Sequence, residues 1–514
     1  MKKHKKRDKI GLHPVMTYII LCFAVILLSG ILSLFDVQAT YNQISSITGE
    51  YQVTTEAVQS LFSLSGLKYI FTNTVANFAN FTVLPHLIII LLGIGVMDKS
   101  GFLKTAFRLL TKKAKKTSVT FVMVLMCLML SVIGDLSYII MIPLSALLFL
   151  YGKRNPAIGI ISSFAALTSG TGLSIIMTSI DSSLNKVTLL NASILTPTYL
   201  INFGSYFFIM LVAIIILAFI ITNITENFVA KKLPKYEFEE ESLEEELVLT
   251  KRKMKGLLVA GIASLIYLII FIYNIIPGLP FSGNLLDYSQ VLYIDKLFSI
   301  DSFFSNGFVF IISVLFVILG LSYGIGAKTI TNNKEFINSL SHSLNGIGKV
   351  LVMIFAASTF ISIFKQTNIG NFLVASFTNI INNSTFSGLP LLILVFVISA
   401  LSTIFLPSSL SKWSILASVV VPKLMNLGIT PEFAQIVFRF GESTMMGLTP
   451  VFAYFIVYIA YLDIYSQNEK SLKLSETIKY QSSYAIVVSL VLLALIIIWY
   501  IIGLPIGINS TVGL

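Results

Sequence analysis

Apolar runs of about 20 residues recur along the whole chain, separated by short polar gaps, and each is long enough for a helix to cross a bilayer core of about 30 Å. No segment shows the alternating apolar and polar positions of a membrane barrel strand. The pattern therefore predicts an all-α polytopic membrane protein. Composition agrees, because 56% of the 514 residues are hydrophobic and only 11% are charged.

The positions of Lys and Arg predict the membrane orientation. Most of the 35 basic residues lie in the polar gaps, where Lys and Arg mark the cytoplasmic side, so the net charge of +11 does not indicate nucleic acid as a partner. The resulting path starts with a cytoplasmic N-terminus and a retained first helix at roughly 14–35. The loop that follows extends to residue 79 on the outer side. Further crossings are expected at about 80–98, 200–224, 255–276, 305–324, 349–366 and 482–505, and together with two broken helices they make about nine transmembrane helices, besides two re-entrant hairpins. A multi-pass protein of the inner (plasma) membrane, in contact with lipid, is expected.

The polar gaps divide the chain into two halves around an acidic cytoplasmic loop. The acidic run at 237–246 is interpreted as a solvated tether, with partner binding as the alternative. The predicted parts are a first half at 1–224, with a cytoplasmic hairpin at about 118–152 and a broken helix at about 156–186, the loop at 225–254, and a second half at 255–514, with an outside-facing hairpin at about 386–427 and a broken helix at about 431–463.

An internal repeat supports this division. An offset of 275 residues places SVIGDLSYIIMIPLSALLFL over LPSSLSKWSILASVVVPKLM. The same offset matches Pro156 with Pro431 and aligns a Ser/Thr pair and a glycine that follow each proline. Because the two copies begin on opposite sides of the membrane, the repeat is predicted to be inverted, as in many secondary transporters.

Polar interruptions predict four helix breaks at membrane depth, at Ser131–Ser137, Thr168–Ser174, Pro407–Lys412 and Ser443–Thr449. Broken helices are tolerated there only where they line a cavity or are buried in protein. Half-helix N-termini suit an anion, whereas carbonyls and hydroxyls suit a sodium ion or proton-linked water. The candidates for ion binding or coupling at these breaks are Asp135, Thr168, Ser169, Ser174, Thr403, Ser408 and Ser409, and those for substrate binding include Ser443 and Thr444.

Charged residues in apolar surroundings select among these breaks. Arg439 and Glu442, in RFGESTMMGLTP, lie three residues apart on one helical face, where each charge costs roughly 2.5–3.5 kcal/mol at the centre of a spanning helix. Either they form a structural ion pair, or Arg439 binds an anionic substrate while Glu442 orients it or carries a proton. Asp135 is also a candidate N-cap, and Asp181 is either a functional carboxylate or simply exposed. Trp413, beside Lys412, is either an interfacial anchor or a platform for an aromatic ligand.

Other chemistries find no support in the sequence. Cys22 and Cys127 both lie in apolar runs, which excludes a disulfide framework, and the four histidines have no metal-ligand spacing. Neither a nucleophile elbow nor a phosphate loop is present. We therefore expect no enzyme activity, no cofactor and no metal other than sodium. A membrane transferase, the alternative from another class, would need a polar catalytic loop.

Several stretches resemble the p-aminobenzoyl-glutamate transporter (AbgT) family of the ion-transporter superfamily, namely LHPVMTYIILCFAVILLSG, IGDLSYIIMIPLSALLFL, SIDSSLNKVT, SLSKWSILASVVVPKLMNLGITPEFAQ and FRFGESTMMGLTPVFAYF. The resemblance implies a dimeric transporter of nine helices and two hairpins per subunit. It implies transport of p-aminobenzoyl-glutamate or related aromatic conjugates, with export of sulfonamide-type antimetabolites in some members. It also implies that Asp181, Trp413, Pro431, Arg439 and Glu442 occupy functional positions.

The chain departs from the family pattern at four positions. Thr403 and Ser174 replace asparagines, Leu410 replaces a serine, and Glu442 replaces the usual aspartate. Because asparagine amides could ligate sodium or a carboxylate, these changes leave the coupling ion and the substrate open. The sequence thus predicts a secondary active transporter for an aromatic organic anion, driven by a proton or sodium gradient, with uptake and efflux as open alternatives. The alternative within transport is a C4-dicarboxylate or other organic-anion carrier.

Overall fold

A computed structural model describes residues 12–44, 51–202, 204–238, 249–299, 301–467 and 473–514, and it confirms the predominantly helical class. Its principal helices are Pro14–Leu34, Leu64–Ala79, Val83–Lys99, Phe102–Lys112, Lys116–Leu130, Leu136–Tyr151, Pro156–Gly170, Ser179–Ala192, Phe207–Ile224, Lys251–Ile275, Tyr293–Phe298, Phe303–Ala327, Asn333–His342, Gly348–Gln366, Ile369–Asn383, Gly388–Phe405, Ser409–Met425, Pro431–Met445, Phe455–Ile464 and Leu474–Ile502.

Nine helical segments of the described chain are long and apolar enough to cross a membrane. Seven of them coincide with predicted crossings, and the remaining two, Lys116–Ile133 and Gly388–Phe405, are the first arms of the predicted hairpins. Each broken helix consists of two segments that are individually too short to meet this length criterion. The re-entrant course of the hairpins stays a prediction.

Two elements near the N-terminus differ from the prediction of a loop up to residue 79. Strands Gln38–Ile44 and Tyr51–Ala57 pair as an antiparallel hairpin, and helix Leu64–Ala79 precedes the second predicted crossing. The hairpin lies against helix Ile369–Asn383, where the Asn379 amide donates to the Thr40 carbonyl at 2.9 Å. The β-branched and aromatic residues of both strands suit this partly buried position.

The second repeat copy reproduces the helix boundaries of the first. An offset of 275 residues moves Pro156–Gly170 onto the range of Pro431–Met445. Both helices start with proline at the first position, after an N-cap side chain: Asn155 accepts a hydrogen bond from the Ala157 N–H, and Thr430 accepts one from the Phe433 N–H. The repeat read from sequence therefore coincides with equal bounds and similar N-caps of these two helices in the structure.

The two breaks begin later than predicted. Thr168 and Ser169 are still helical, as are Ser443 and Thr444, and the non-helical segments start at 171 and, after one 3-10 turn, at 449. The hydroxyls of Thr168 and Ser443 do not interrupt the helices, because they donate to the carbonyls four residues earlier, both at 2.9 Å. Such back-bonding is compatible with a helix interior, and the interruption follows at the next glycine-containing turn.

The hairpin tips are shorter than predicted. The first tip consists of a 3-10 turn at Ser131–Ile133 followed by Gly134, whose φ of 63° favours glycine. The second tip spans only 406–408, because Ser408 caps helix Ser409–Met425 by accepting from the Ser411 N–H. Lys412, predicted to lie in the tip, is therefore in the first turn of that helix. The acidic run from residue 239 to 246 lies outside the described residues.

Candidate functional site

The two broken helices cross where their first segments end. The Gly172 N–H donates to Ser443 Oγ at 2.8 Å, and a Cβ placed on Gly447 would lie 2.9 Å from Thr168 Oγ1. At the 275-residue offset Gly172 corresponds to Gly447 and Thr168 to Ser443. Each contact is therefore the copy of the other, which is the reciprocity of a two-fold related interface. Side chains near this crossing are held between the two repeat units.

Arg439 lies at the crossing and contacts both repeat units. Its guanidinium donates to Glu442 Oε1 at 2.5 Å, to the Thr171 carbonyl at 2.7 Å and to Asp181 Oδ1 at 3.3 Å. The side chain is buried, and its Nε has no hydrogen-bond partner within the described chain. Buried donors are nearly always paired in folded proteins, so this N–H is available to a ligand that reaches the site.

Lys412 supplies a second buried cation. Its ammonium lies 3.0 Å from Glu442 Oε2 and donates to Thr403 Oγ1 at 2.7 Å, and both ionic side chains are fully buried. Glu442 is thus bound through separate oxygens to Arg439 and Lys412. Thr403, predicted as an ion-binding residue, holds the lysine. The sequence predicted Lys412 at the end of the second tip but did not pair it with Glu442, which is 30 positions away.

Asp181 is buried, which excludes the simple exposure considered from sequence. It occupies the third position of helix Ser179–Ala192 and forms a capping box with Thr178. Its Oδ2 accepts from Ser174 Oγ at 2.5 Å, from Thr178 Oγ1 at 2.7 Å and from the Thr178 N–H at 3.1 Å. The end of the first break therefore anchors the carboxylate that faces Arg439.

Trp413 is fully buried inside the protein, rather than exposed to an interface as the anchor alternative required. Its ring stacks on Phe438 with a centroid separation of 4.7 Å, and its N–H donates to Thr188 Oγ1 at 2.8 Å. Thr188 lies 2.5 Å from Gln435 Oε1, and the Gln435 amide donates to Asn185. This polar chain ties the second hairpin to the half-helix that carries Asp181.

The other predicted site residues divide into two groups. Ser409 reaches Arg439, with a separation of 3.4 Å, and Ser174 reaches Asp181. The remaining candidates do not contact the charged cluster, which consists of Arg439, Glu442, Lys412 and Asp181. Pro431 starts its helix two turns before Arg439, Ser408 is exposed, and Asp135 is exposed at the first tip and makes no capping hydrogen bond. Thr168 and Thr444 bond within their own helices, and Ser169 is buried in the helix interior.

The first repeat unit has an aromatic core where the second has charges. Phe164 and Leu167 correspond to Arg439 and Glu442 at the 275-residue offset. Phe164 stacks on Tyr458, with centroids 4.4 Å apart and ring planes inclined by 4°. Three of the charges, those of Arg439, Glu442 and Lys412, consequently come from one repeat unit and only that of Asp181 comes from the other, so the site is asymmetric within a symmetric frame.

A helical membrane protein whose paired broken helices bury a charged cluster at their crossing has the build of a secondary transporter. Comparison with known proteins places it more narrowly. The chain belongs to the AbgT putative transporter family, whose sequence profile matches residues 7–514. It is accordingly a multi-pass membrane transporter.

Relatives of the chain include one protein with an assigned substrate. The chain is 25% identical over 495 residues to the p-aminobenzoyl-glutamate transport protein of Escherichia coli (strain K12), covering 96% of this chain and 93% of that protein. Two solved structures also match. The YdaH transporter of Alcanivorax borkumensis, described as having an unusual topology, is 25% identical, with 97% of this chain and 100% of that chain covered and a TM-score of 0.49. Neisseria gonorrhoeae MtrF, described with a class of antimetabolite efflux pumps, is 26% identical, with 98% of each chain covered and a TM-score of 0.49.

Proposed function

We propose that this protein is a secondary active transporter of p-aminobenzoyl-glutamate or a related aromatic organic anion. The buried Arg439 is the observation that carries the proposal. It lies at the crossing of two broken helices and has an unpaired Nε. A guanidinium recognises a carboxylate through two parallel N–H donors, and the name of the Escherichia coli relative supplies a carboxylate-bearing aromatic substrate.

The anion would enter by replacing the weaker of the two carboxylates on Arg439. Asp181 lies 3.3 Å from the guanidinium, whereas Glu442 lies 2.5 Å away and is held by Lys412 as well. A substrate carboxylate that takes the place of Asp181 also has the free Nε–H within reach. Glu442 then orients the arginine, and Asp181 controls how readily it is released.

Trp413 is suited to receive the aromatic part of the substrate. Its ring already stacks on Phe438, one residue before Arg439, so an aromatic ring adjoining the bound carboxylate would meet an aromatic surface. Because both residues are buried, the second hairpin has to move away from helix Pro431–Met445 to admit the substrate. Alternating access would then consist of hairpin movement about the crossing of the breaks.

The coupling ion, direction, assembly and orientation are further parts of the proposal. A proton or sodium gradient drives transport, either as uptake of the anion or, alternatively, as export of sulfonamide-type antimetabolites, and the protein is a homodimer of the plasma membrane with a cytoplasmic N-terminus. The C4-dicarboxylate alternative shares Arg439 but makes no use of the Trp413–Phe438 stack. Family membership favours transport over the membrane transferase alternative.

Counterflow in proteoliposomes tests the function. Protein is reconstituted with p-aminobenzoyl-glutamate, a sulfonamide or succinate inside, and entry of the labelled compound is followed with sodium and pH gradients imposed separately. We expect p-aminobenzoyl-glutamate to exchange and Arg439→Met to abolish exchange. Arg252→Met, which removes an exposed arginine from the start of helix Lys251–Ile275, is the matched control. Exchange of succinate alone would favour the dicarboxylate carrier, and movement of none would contradict the proposal.

A further inference from the structure

The charged cluster is balanced before any ligand binds. Arg439 and Lys412 supply two positive charges, Glu442 and Asp181 supply two negative charges, and none of the four residues is more than 5% exposed. An incoming carboxylate adds a negative charge to this buried set. Excess charge in a low-dielectric interior is costly, so one site carboxylate has to gain a compensating cation when the anion binds.

Glu442 is poorly placed to be that carboxylate. Both of its oxygens already contact cations, Arg439 at 2.5 Å and Lys412 at 3.0 Å. The lysine is held in place by its hydrogen bond to Thr403. A proton on Glu442 would leave two buried cations facing a neutral group, and breaking a buried pair in this way is strongly destabilising.

Asp181 has the opposite environment. Within the described part of the chain its single cationic contact is Arg439, through Oδ1, and its Oδ2 is bound by hydroxyl and N–H donors of Ser174 and Thr178. When Arg439 turns to a substrate carboxylate, Oδ1 loses this cation while Oδ2 keeps its donors. A buried carboxylate without a cation takes up a proton. Arg439 therefore links the arrival of the anion to the protonation of Asp181.

Among the described residues, the other ionisable groups around Asp181 do not offer a replacement cation. Tyr206 interacts with Asp181, but its hydroxyl donates to Asn185 at 2.7 Å. Glu432, which accepts from the Tyr199 hydroxyl at 2.6 Å, is a carboxyl group and cannot supply a positive charge. Lys412 remains bound to Glu442. The Thr178 N–H points at Oδ2, which disfavours a metal cation on that oxygen, whereas Oδ1 needs only a proton.

We propose that Asp181 is the proton-coupling residue, an inference that rests on the proposed function. Binding of one anion carboxylate to Arg439 is accompanied by transfer of one proton from water to Asp181 Oδ1. Release of the anion restores the Arg439–Asp181 pair and returns the proton to water on the other side. Anion and proton therefore move in the same direction, as in a symporter, and Glu442 stays ionised throughout.

Proton counting during ligand binding tests this assignment. Binding of p-aminobenzoyl-glutamate to the full-length purified protein is measured by calorimetry at one pH in buffers of different ionisation enthalpy, and the affinity is then followed against pH. We expect uptake of about one proton per bound anion. The affinity should then fall about tenfold for each unit by which the pH rises, in the range where Asp181 is ionised in the ligand-free protein. In Asp181→Asn the uptake should vanish and the pH dependence flatten.

Two further variants keep the test decisive. Asp181→Glu retains a carboxylate and should restore proton uptake, even if the asparagine variant is unstable. Glu442→Gln should change affinity but leave any remaining binding coupled to a proton. Proton uptake that persists in Asp181→Asn but is lost in Glu442→Gln would overturn the assignment, as would binding that depends on sodium and takes up no proton. Wild-type protein that binds no aromatic anion would contradict the proposed function and the coupling residue together.

Discussion

The buried pair of Lys412 and Glu442 gives the sharpest prediction for stability. Lys412→Met removes the ammonium but nearly preserves the length and volume of the side chain, so no large cavity forms. The change deletes a 3.0 Å ion pair and a 2.7 Å hydrogen bond, both completely buried. Removing one partner of a buried ion pair costs about 3–5 kcal/mol. Because Glu442 keeps Arg439, we expect the lower end, about 3 kcal/mol, or roughly a hundredfold in the folding equilibrium.

A matched control exists in the same chain. Lys186 forms an ion pair of 2.9 Å with Asp295, but its side chain is 66% exposed. Exposed pairs contribute no more than about 1 kcal/mol, so Lys186→Met should be nearly silent. Both variants and the wild type are unfolded by titration with sodium dodecyl sulfate in mixed micelles, and the midpoints are compared. A Lys412→Met midpoint equal to that of Lys186→Met would refute the reading of Lys412 as a buried electrostatic anchor.

Three further predictions concern the crossing, the stack and an outer loop. Gly172→Ala should prevent folding or abolish transport, since its Cβ would overlap the Arg439 carbonyl oxygen, whereas Gly261→Ala meets nothing within 4 Å and should be tolerated in both assays. Trp413→Phe keeps the stack but loses the bond to Thr188, costing about 0.5–1.5 kcal/mol in detergent unfolding, against about 3–5 kcal/mol for Trp413→Ala; equal losses would contradict the stacking role. Hydrogen bonds from the Ser299 hydroxyl and, after it, from the hydroxyl and N–H of Ser289 lower the pKa of Asp287 from 3.8 to about 2. Ionised Asp287 thus stabilises its loop above pH 3.8, and this contribution is lost as the pH falls towards 2, so pepsin should cut Asp287→Asn faster than wild type near pH 4 but not near pH 2.

The sequence predicted what local pattern and repetition determine. Apolar length identified the membrane helices, and the coincidence of Pro156 with Pro431 identified two units whose boundaries agree in the structure. The hydroxyl-rich stretches were predicted as breaks, but their side chains bond to their own helices and the interruptions come later. Hydroxyl content alone therefore does not distinguish a broken helix from a back-bonded one.

The charged cluster could be predicted only in part. Arg439 and Glu442 are three residues apart, so helical geometry placed them together in advance. Lys412 and Asp181 belong to other helices: the approach of Lys412 depends on packing within the second repeat unit, and that of Asp181 on the crossing of the two units. The position of Asp181 at a helix start could have been predicted from sequence. In TSID a threonine stands three residues before an acidic residue, which is the spacing of a capping box. No comparable signal links Lys412 to Glu442.

The proposal that Arg439 binds an anionic substrate is tested most directly by asking whether Arg439 recognises the charge of the substrate. Affinities of wild type and Arg439→Met are measured for p-aminobenzoyl-glutamate and for its neutral diamide, at one pH and salt concentration. We expect the wild type to prefer the carboxylate form strongly, by about tenfold or more, corresponding to at least about 1.4 kcal/mol. Arg439→Met should bind both forms with similar, weak affinity. An undiminished preference for the carboxylate in Arg439→Met would contradict the central claim and leave the arginine as a structural ion pair.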